Sequence, residues 1–331
     1  MDVDAYVAAH HAEWSRLEWL INHSRRLNGA EIDELVELYQ RAATHLSVVR
    51  SSSPDPLLVG RLSSLVARGR AAVAGAQAPM WRDAARFLTR SFPVVAYRLR
   101  WWWLSTALLG NLFSLIYAIW LVRNPEVQAT LGTEWEIKQL VEHDFANYYV
   151  EHSAQSFAFQ VWVNNAWVSA TALIFGILLG IPTLYVLFVN QLNLAAVGGF
   201  MWAHGRGDIF FGLILPHGLL ELTAVYLACA AGFKIGWTVI DPGPRRRGQA
   251  LAEEGRAIVA VALGLVLVLL VSGLIEGFVT GHVHNTWLRI GIGVVAEIAF
   301  LAYVFVLGRP AARAGETGDA ALRPDLAPTA G

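Results

Sequence analysis

Apolar positions change their pattern once along this chain, near Arg100. Before it they recur at helical spacing between charges; from Trp101 to Leu307 they merge into long runs. In Asp2–Ile21, Tyr6, Trp14, Leu17 and Ile21 share one face, which predicts an amphipathic helix. Asn28-Gly29 reads as a stop. Ile32, Leu35, Leu38, Tyr39, Ala42 and Leu46 then predict a second helix over Glu31–Arg50. Ser51–Pro56 is a turn cluster, and Leu57–Ala74 a third helix weakened by Gly60 and Gly69. Three such stripes predict a small helical bundle over residues 1–80.

Residues 81–101 are basic and amphipathic. Arg82, Arg86, Arg90, Arg98 and Arg100 alternate with apolar residues and end at Trp101-Trp102-Trp103, a pattern suited to the headgroup layer. Residues 102–308 then predict an all-α transmembrane bundle in contact with the lipid bilayer, since a spanning helix needs about 20 apolar residues. The expected spans are Trp102–Val122, Val163–Val189, Asn190–Ala203, Phe210–Trp237, Ile258–Val279 and Leu288–Leu307. Between the first two lies an acidic segment, 123–160. The tail 309–331, rich in Ala, Gly, Pro and charge, is expected to be disordered.

Basic residues near span ends set orientation. Arg98, Arg100, Arg245–Arg247, Arg309 and Arg313 place both termini in the cytoplasm and the acidic segment outside. This works only if Asn190–Ala203 crosses as a short span, giving six. A re-entrant hairpin there gives five and turns Arg245–Arg247 outward.

Composition sharpens the reading without redirecting it. The 331 residues are 55% hydrophobic and 15% charged, too apolar for an ordinary soluble domain. A net charge of -1 gives no reason to expect nucleic acid. The single cysteine, Cys229, makes neither an internal disulfide nor a cysteine-based metal site. The first 20 residues are acidic and polar, unlike a secretory signal.

Candidate chemistry lies inside the spans. His217 and Glu221 sit four apart in an apolar stretch behind Pro216, so they share a helix face. An ionisable group at that depth costs roughly 2.5–3.5 kcal/mol on insertion scales, which marks it as useful. Glu276, Glu297, Asn164 and Asn165 complete a candidate buried polar cluster, either structural glue or a proton relay, ion site or metal site. HGLLE lacks the second histidine and the base of HExxH, and GxSxG and Walker A loops are missing, so no catalytic residue, cofactor or metal centre is assigned. His204, His282 and His284 read either as solvated loop residues or as a set that meets a metal, the first being the commoner case. Gly176 with Gly180, and Gly198-Gly199, form small-residue surfaces that serve either internal packing or a homo-oligomer.

Asn164-Asn165, the GIxxG of Gly176–Gly180, GLILPHGLLELTAVYLACAAGFKIG (Gly212–Gly236) and IEGFVT (Ile275–Thr280) together resemble the stage II sporulation protein M family. LPHGxxE is the most specific of these runs, and the resemblance covers roughly residues 10–308. It implies a polytopic protein of the bacterial inner membrane that joins other envelope proteins. In spore formers the family member serves a complex recruiting peptidoglycan-degrading enzymes, and elsewhere it is often encoded beside MoxR-type ATPases. The long N-terminal front departs from the sporulation members. The expectation is a non-enzymatic membrane scaffold of the cell envelope; the alternative is a channel or secondary transporter using His217, Glu221 and Glu297.

Overall fold

The computed structural model describes residues 3–24, 27–52, 55–74, 80–149 and 153–318, and every element in them is helical. The chain separates into two compact units, Met1–Ala84 and Ala85–Gly331.

The first unit packs α1 (Val3–Asn22), α2 (Gly29–Ser52) and α3 (Pro56–Ala74) into a three-helix bundle. Its core is Trp14, Leu17, Leu20, Leu35, Leu38, Ala42, Leu46, Val49, Leu62 and Leu65; of these the helical spacing selects Trp14, Leu17, Leu35, Leu38, Ala42 and Leu46, while Ile32, also selected, is exposed. Fully burying each large apolar side chain contributes about 1.5–3 kcal/mol. Asn28, expected to end a helix, starts one. Its Oδ1 accepts from the Glu31 amide at 3.0 Å while Glu31 Oε2 accepts from the Asn28 amide at 2.9 Å, a reciprocal cap on α2. Exposed pairs Arg16–Glu34, Arg41–Glu13 and Arg68–Glu18 lace the helices outside, each worth little in water.

The chain continues through α4 (Met80–Arg86), a π-helical turn at Phe87–Ser91 and α5 (Phe92–Arg98). Phe92, Val94, Val95 and Ala96 are buried within the second unit, so the half of the basic segment expected at the headgroups is enclosed by protein. Phe92 lies against Gly264, where any side chain would strike its ring.

Next come α6 (Arg100–Arg123), α7 (Pro125–Leu131), α8 (Glu134–Gln139), a π turn at Leu140–Asp144 and α9 (Phe145–Asn147). The main bundle is completed by α10 (Ala154–Ile174), α11 (Ile181–Ala203), α12 (Gly207–Ile240), α13 (Arg247–Ile275) with a π turn at Glu276–Thr280, and α14 (Thr286–Arg313). Among the described residues, five helices are long and apolar enough to cross a membrane: α6, α11, α12, α13 with its π turn, and α14. At 34 residues and 1.5 Å per residue, α12 is about 51 Å long. It packs against α6, α10, α11, α13 and α14 and is the hub; α6 and α14 turn most of their surface outward.

Two expectations are corrected here. Val163–Val189 is not one span, because the chain turns at Phe175–Gly180. Gly180 takes a left-handed φ of +73° and Pro182 opens α11, the residues suited to a break followed by a helix start. Asn190–Ala203 is consequently neither a short span nor a re-entrant hairpin; it is the second half of α11. Buried Gln191 holds it by donating to Tyr226 Oη and accepting from Ser114 Oγ at 2.6 Å, while Tyr226 donates to Asn111. The preceding helix, α10, is 21 residues long and runs beside α12 and α13.

The tail is a third correction. Arg309–Arg313 finish α14, Glu316 pairs with Arg90 at 2.9 Å, and the Thr317 carbonyl accepts from Arg98 at 3.1 Å. Those contacts order the segment to Gly318; residues 319–331 lie outside the described residues.

Candidate functional site

Three of the sequence-selected residues meet. His217 and Glu221 project from one face of α12, and Glu276 opens the π turn at the end of α13. One nitrogen or carboxylate oxygen from each lies within 4.8 Å of the others. His217 and Glu276 are each 4% exposed; Glu221 is partly buried.

The α13 side of the site is a column of residues four apart, Ser272, Glu276 and Thr280. A regular helix has 3.6 residues per turn, so such a column drifts round the axis; the wider π turn offsets that drift and keeps all three toward α12. Thr280 Oγ1 contacts His217 Nδ1 at 3.2 Å, and Ser272 Oγ lies 3.2 Å from the His217 carbonyl and 3.5 Å from Glu221 Oε2. Asn165, from α10, hydrogen-bonds the Glu221 carboxylate. Tyr149 closes the outer side, its ring centroid 6.0 Å from that of His217. Arg289 donates to the Thr280 carbonyl at 3.2 Å and pins the π turn from α14.

His217 Nε2 stands 3.7 Å from Glu276 Oε1, beyond hydrogen-bond length. Glu276 Oε2 is buried with no hydrogen-bond partner among the described residues. Two carboxylates and an imidazole gathered in a low-dielectric bundle need a compensating positive charge or protons, since a buried unpaired charge costs several kcal/mol.

The other selected residues go elsewhere. Glu297 accepts from Thr223 at 2.9 Å, apart from the trio. Asn164 is exposed and touches only its neighbour Asn165 within the candidate set, at 3.5 Å. Gly176 and Gly180 bring the Phe175–Gly180 turn against Gly232, Phe233 and Gly236 of α12; Gly198 faces Phe210 and Gly199 faces Leu121. His204 and His284 bond to nearby carbonyls, Phe200 and His282 respectively, and do not converge. Ser272, Thr280 and Tyr149 escape the sequence reading. Only the four-residue spacing of Ser272, Glu276 and Thr280 signals the column.

A second cluster was not foreseen. His10, Glu13 and His45 meet in the first unit, with the two imidazole rings 4.0 Å apart. Trp14 Nε1 donates to His45 Nδ1 at 3.1 Å, which places the proton of neutral His45 on Nε2 and occupies its lone pair. Burial, reinforced by His10, lowers the proton affinity of His45 below the usual histidine range.

Residues 105–281 match the family described as Stage II sporulation protein M, and residues 4–75 match a domain of unknown function. Two uncharacterized proteins of Methanocaldococcus jannaschii are similar. MJ0793 is 26% identical over 122 residues, 36% of this chain and 68% of the relative. MJ0706 is 29% identical over 126 residues, 36% of this chain and 54% of the relative. No solved structure matches. The first match covers more than half of the chain and contains the whole His217–Glu221–Glu276 cluster: this protein belongs to the stage II sporulation protein M family.

Proposed function

We propose that this protein is a non-enzymatic membrane platform of the cell envelope that gathers partner proteins. The reading takes α10 as a sixth crossing beside the five long apolar helices, which puts both termini in the cytoplasm of a bacterial cell, the bundle in the inner membrane and the acidic 123–160 segment outside. The observation that carries it is the first unit, a separately packed helical bundle with a charge-laced surface, joined to a helical membrane unit. Such a surface suits a soluble partner, of which a MoxR-type ATPase system is the class the family resemblance implies. Peptidoglycan-remodelling enzymes are the partner class for the outer face, where Glu134, Glu142 and Asp144 are exposed. The scatter of ionisable groups favours this reading over transport, because Glu297 binds Thr223 instead of joining His217 and Glu221.

Photo-crosslinking from exposed Trp19 and Trp135 in the intact chain tests it. Discrete partners that disappear from the Trp19 position when its surrounding charges are reversed support the platform; their absence from both positions counts against it. The transport reading keeps one observation, the convergence of His217, Glu221 and Glu276. Proton or cation flux in liposomes that Glu221→Gln abolishes would put transport first. Silence from both proteins, with the variant inserted and folded, would leave the platform.

A further inference from the structure

We infer that His217, Glu221 and Glu276 form a binding site for a divalent transition-metal ion, with Zn²⁺ the best fit. This goes beyond the platform reading and does not depend on it.

The Thr280 hydroxyl has one proton, and the carbonyl of Ile275 lies 3.5 Å away to take it. With that proton directed at the carbonyl, Thr280 Oγ1, 3.2 Å from His217 Nδ1, is free to accept Nδ1–H. In that tautomer the Nε2 lone pair points toward Glu276, and a bound metal ion would select it. A histidine that spends Nδ1–H on an outer partner and offers Nε2 inward is arranged as metal ligands are. His45 is the contrast, since its acceptor nitrogen is already taken by Trp14.

The oxygen ligands supply the second observation. Glu276 is 4% exposed, and its Oε2 has no partner among the described residues. Its Oε1 faces the His217 lone pair at 3.7 Å, where neither atom brings a proton when the carboxylate is ionised. Glu221 supplies the third ligand and is oriented by Ser272 and Asn165.

Geometry and charge select the ion. Four-coordinate Zn²⁺ with bonds of about 2.0–2.2 Å sets its ligands roughly 3.4 Å apart. The His217–Glu276 separation is 3.7 Å and no ligand pair exceeds 4.8 Å, so small side-chain shifts close the site. Imidazole with two carboxylates suits Zn²⁺ and its first-row neighbours, whereas Ca²⁺ and Mg²⁺ take oxygen ligands. A divalent ion also cancels two carboxylate charges and leaves a neutral centre inside the bundle. Three protein ligands leave a fourth position for water.

The test uses the full-length protein in detergent, stripped with a chelator, dialysed against Zn²⁺ and assayed for bound metal. One equivalent per chain is expected. Glu276→Gln, an isosteric change, loses it; Glu297→Gln and His10→Ala retain it. Thr280→Val, which removes the acceptor for Nδ1–H, weakens binding about 10–100-fold. Equal Zn²⁺ in the wild type and Glu276→Gln overturns the inference, as does loss on His10→Ala alone. Should Glu276→Gln fail to fold, Co²⁺ loading of the wild type decides. Visible bands of a four-coordinate nitrogen–oxygen site support the inference, and the spectrum of solvated Co²⁺ overturns it.

Discussion

Ser272 touches both ends of the α12 motif, lying 3.2 Å from the carbonyl of His217 and 3.5 Å from the carboxylate of Glu221. One small hydroxyl on α13 thus fixes the register of two helices across the buried cluster. Ser272→Ala should lower stability by about 0.6–2 kcal/mol, the range for hydrogen bonds between membrane helices. Thermal unfolding in detergent checks this, and an unchanged midpoint would show that Ser272 only fills space.

Close backbone contact between α12 and the Phe175–Gly180 turn makes a sharper prediction. A Cβ on Gly236 would stand 2.7 Å from the Gly176 carbonyl oxygen, with backbone on both sides of it. Gly236→Ala should cost about 1–3 kcal/mol or more through overpacking. Gly255, in α13, has open space around its Cβ position. Gly255→Ala should raise stability by roughly 0.5–1 kcal/mol, because only the helix propensity changes. Paired unfolding measurements should therefore move in opposite directions.

The cap on α2 is testable in the first unit. Asn28→Ala removes the side-chain acceptor for the Glu31 amide and should cost about 0.5–2 kcal/mol. Amide exchange at the start of α2 should accelerate, with the second unit unaffected. Uniform acceleration over both units would contradict a local cap.

Acid should loosen the same unit. His45 has a folded-state pKa below its unfolded value, so the unfolded chain takes up the proton first. Stability is then full above the unfolded pKa of about 6.5, falls as pH drops through it, and levels off below the folded value. Exchange of α1–α3 amides in the intact protein, corrected for intrinsic rate, should rise between about pH 7.5 and about pH 5. His45→Gln should flatten the profile. A profile that survives in His45→Gln would assign the dependence to another group.

The helical class and the presence of a membrane unit are legible in the chain alone; its apolar pattern changes near Arg100, whereas the compact units part at Ala84–Ala85. The class and the membrane unit follow from local physics: spacing selects Trp14, Leu17, Leu35 and Leu46 as core, and a lipid-buried backbone must satisfy its own hydrogen bonds, as an uninterrupted apolar helix does. It also singled out His217, Glu221 and Glu276, because charge is conspicuous in an apolar run. Which face of each span meets protein emerges from the packing of the folded bundle. In a membrane helix the lipid-facing and protein-facing sides are both apolar, so periodicity does not separate them. Glu276 therefore reached His217 through a π turn whose one local trace is the four-residue spacing of Ser272, Glu276 and Thr280, and Glu297 went to Thr223. The break at Phe175–Gly180 was likewise set by packing, since Gly176 and Gly180 close on Gly232 and Gly236, residues more than fifty positions further along the chain.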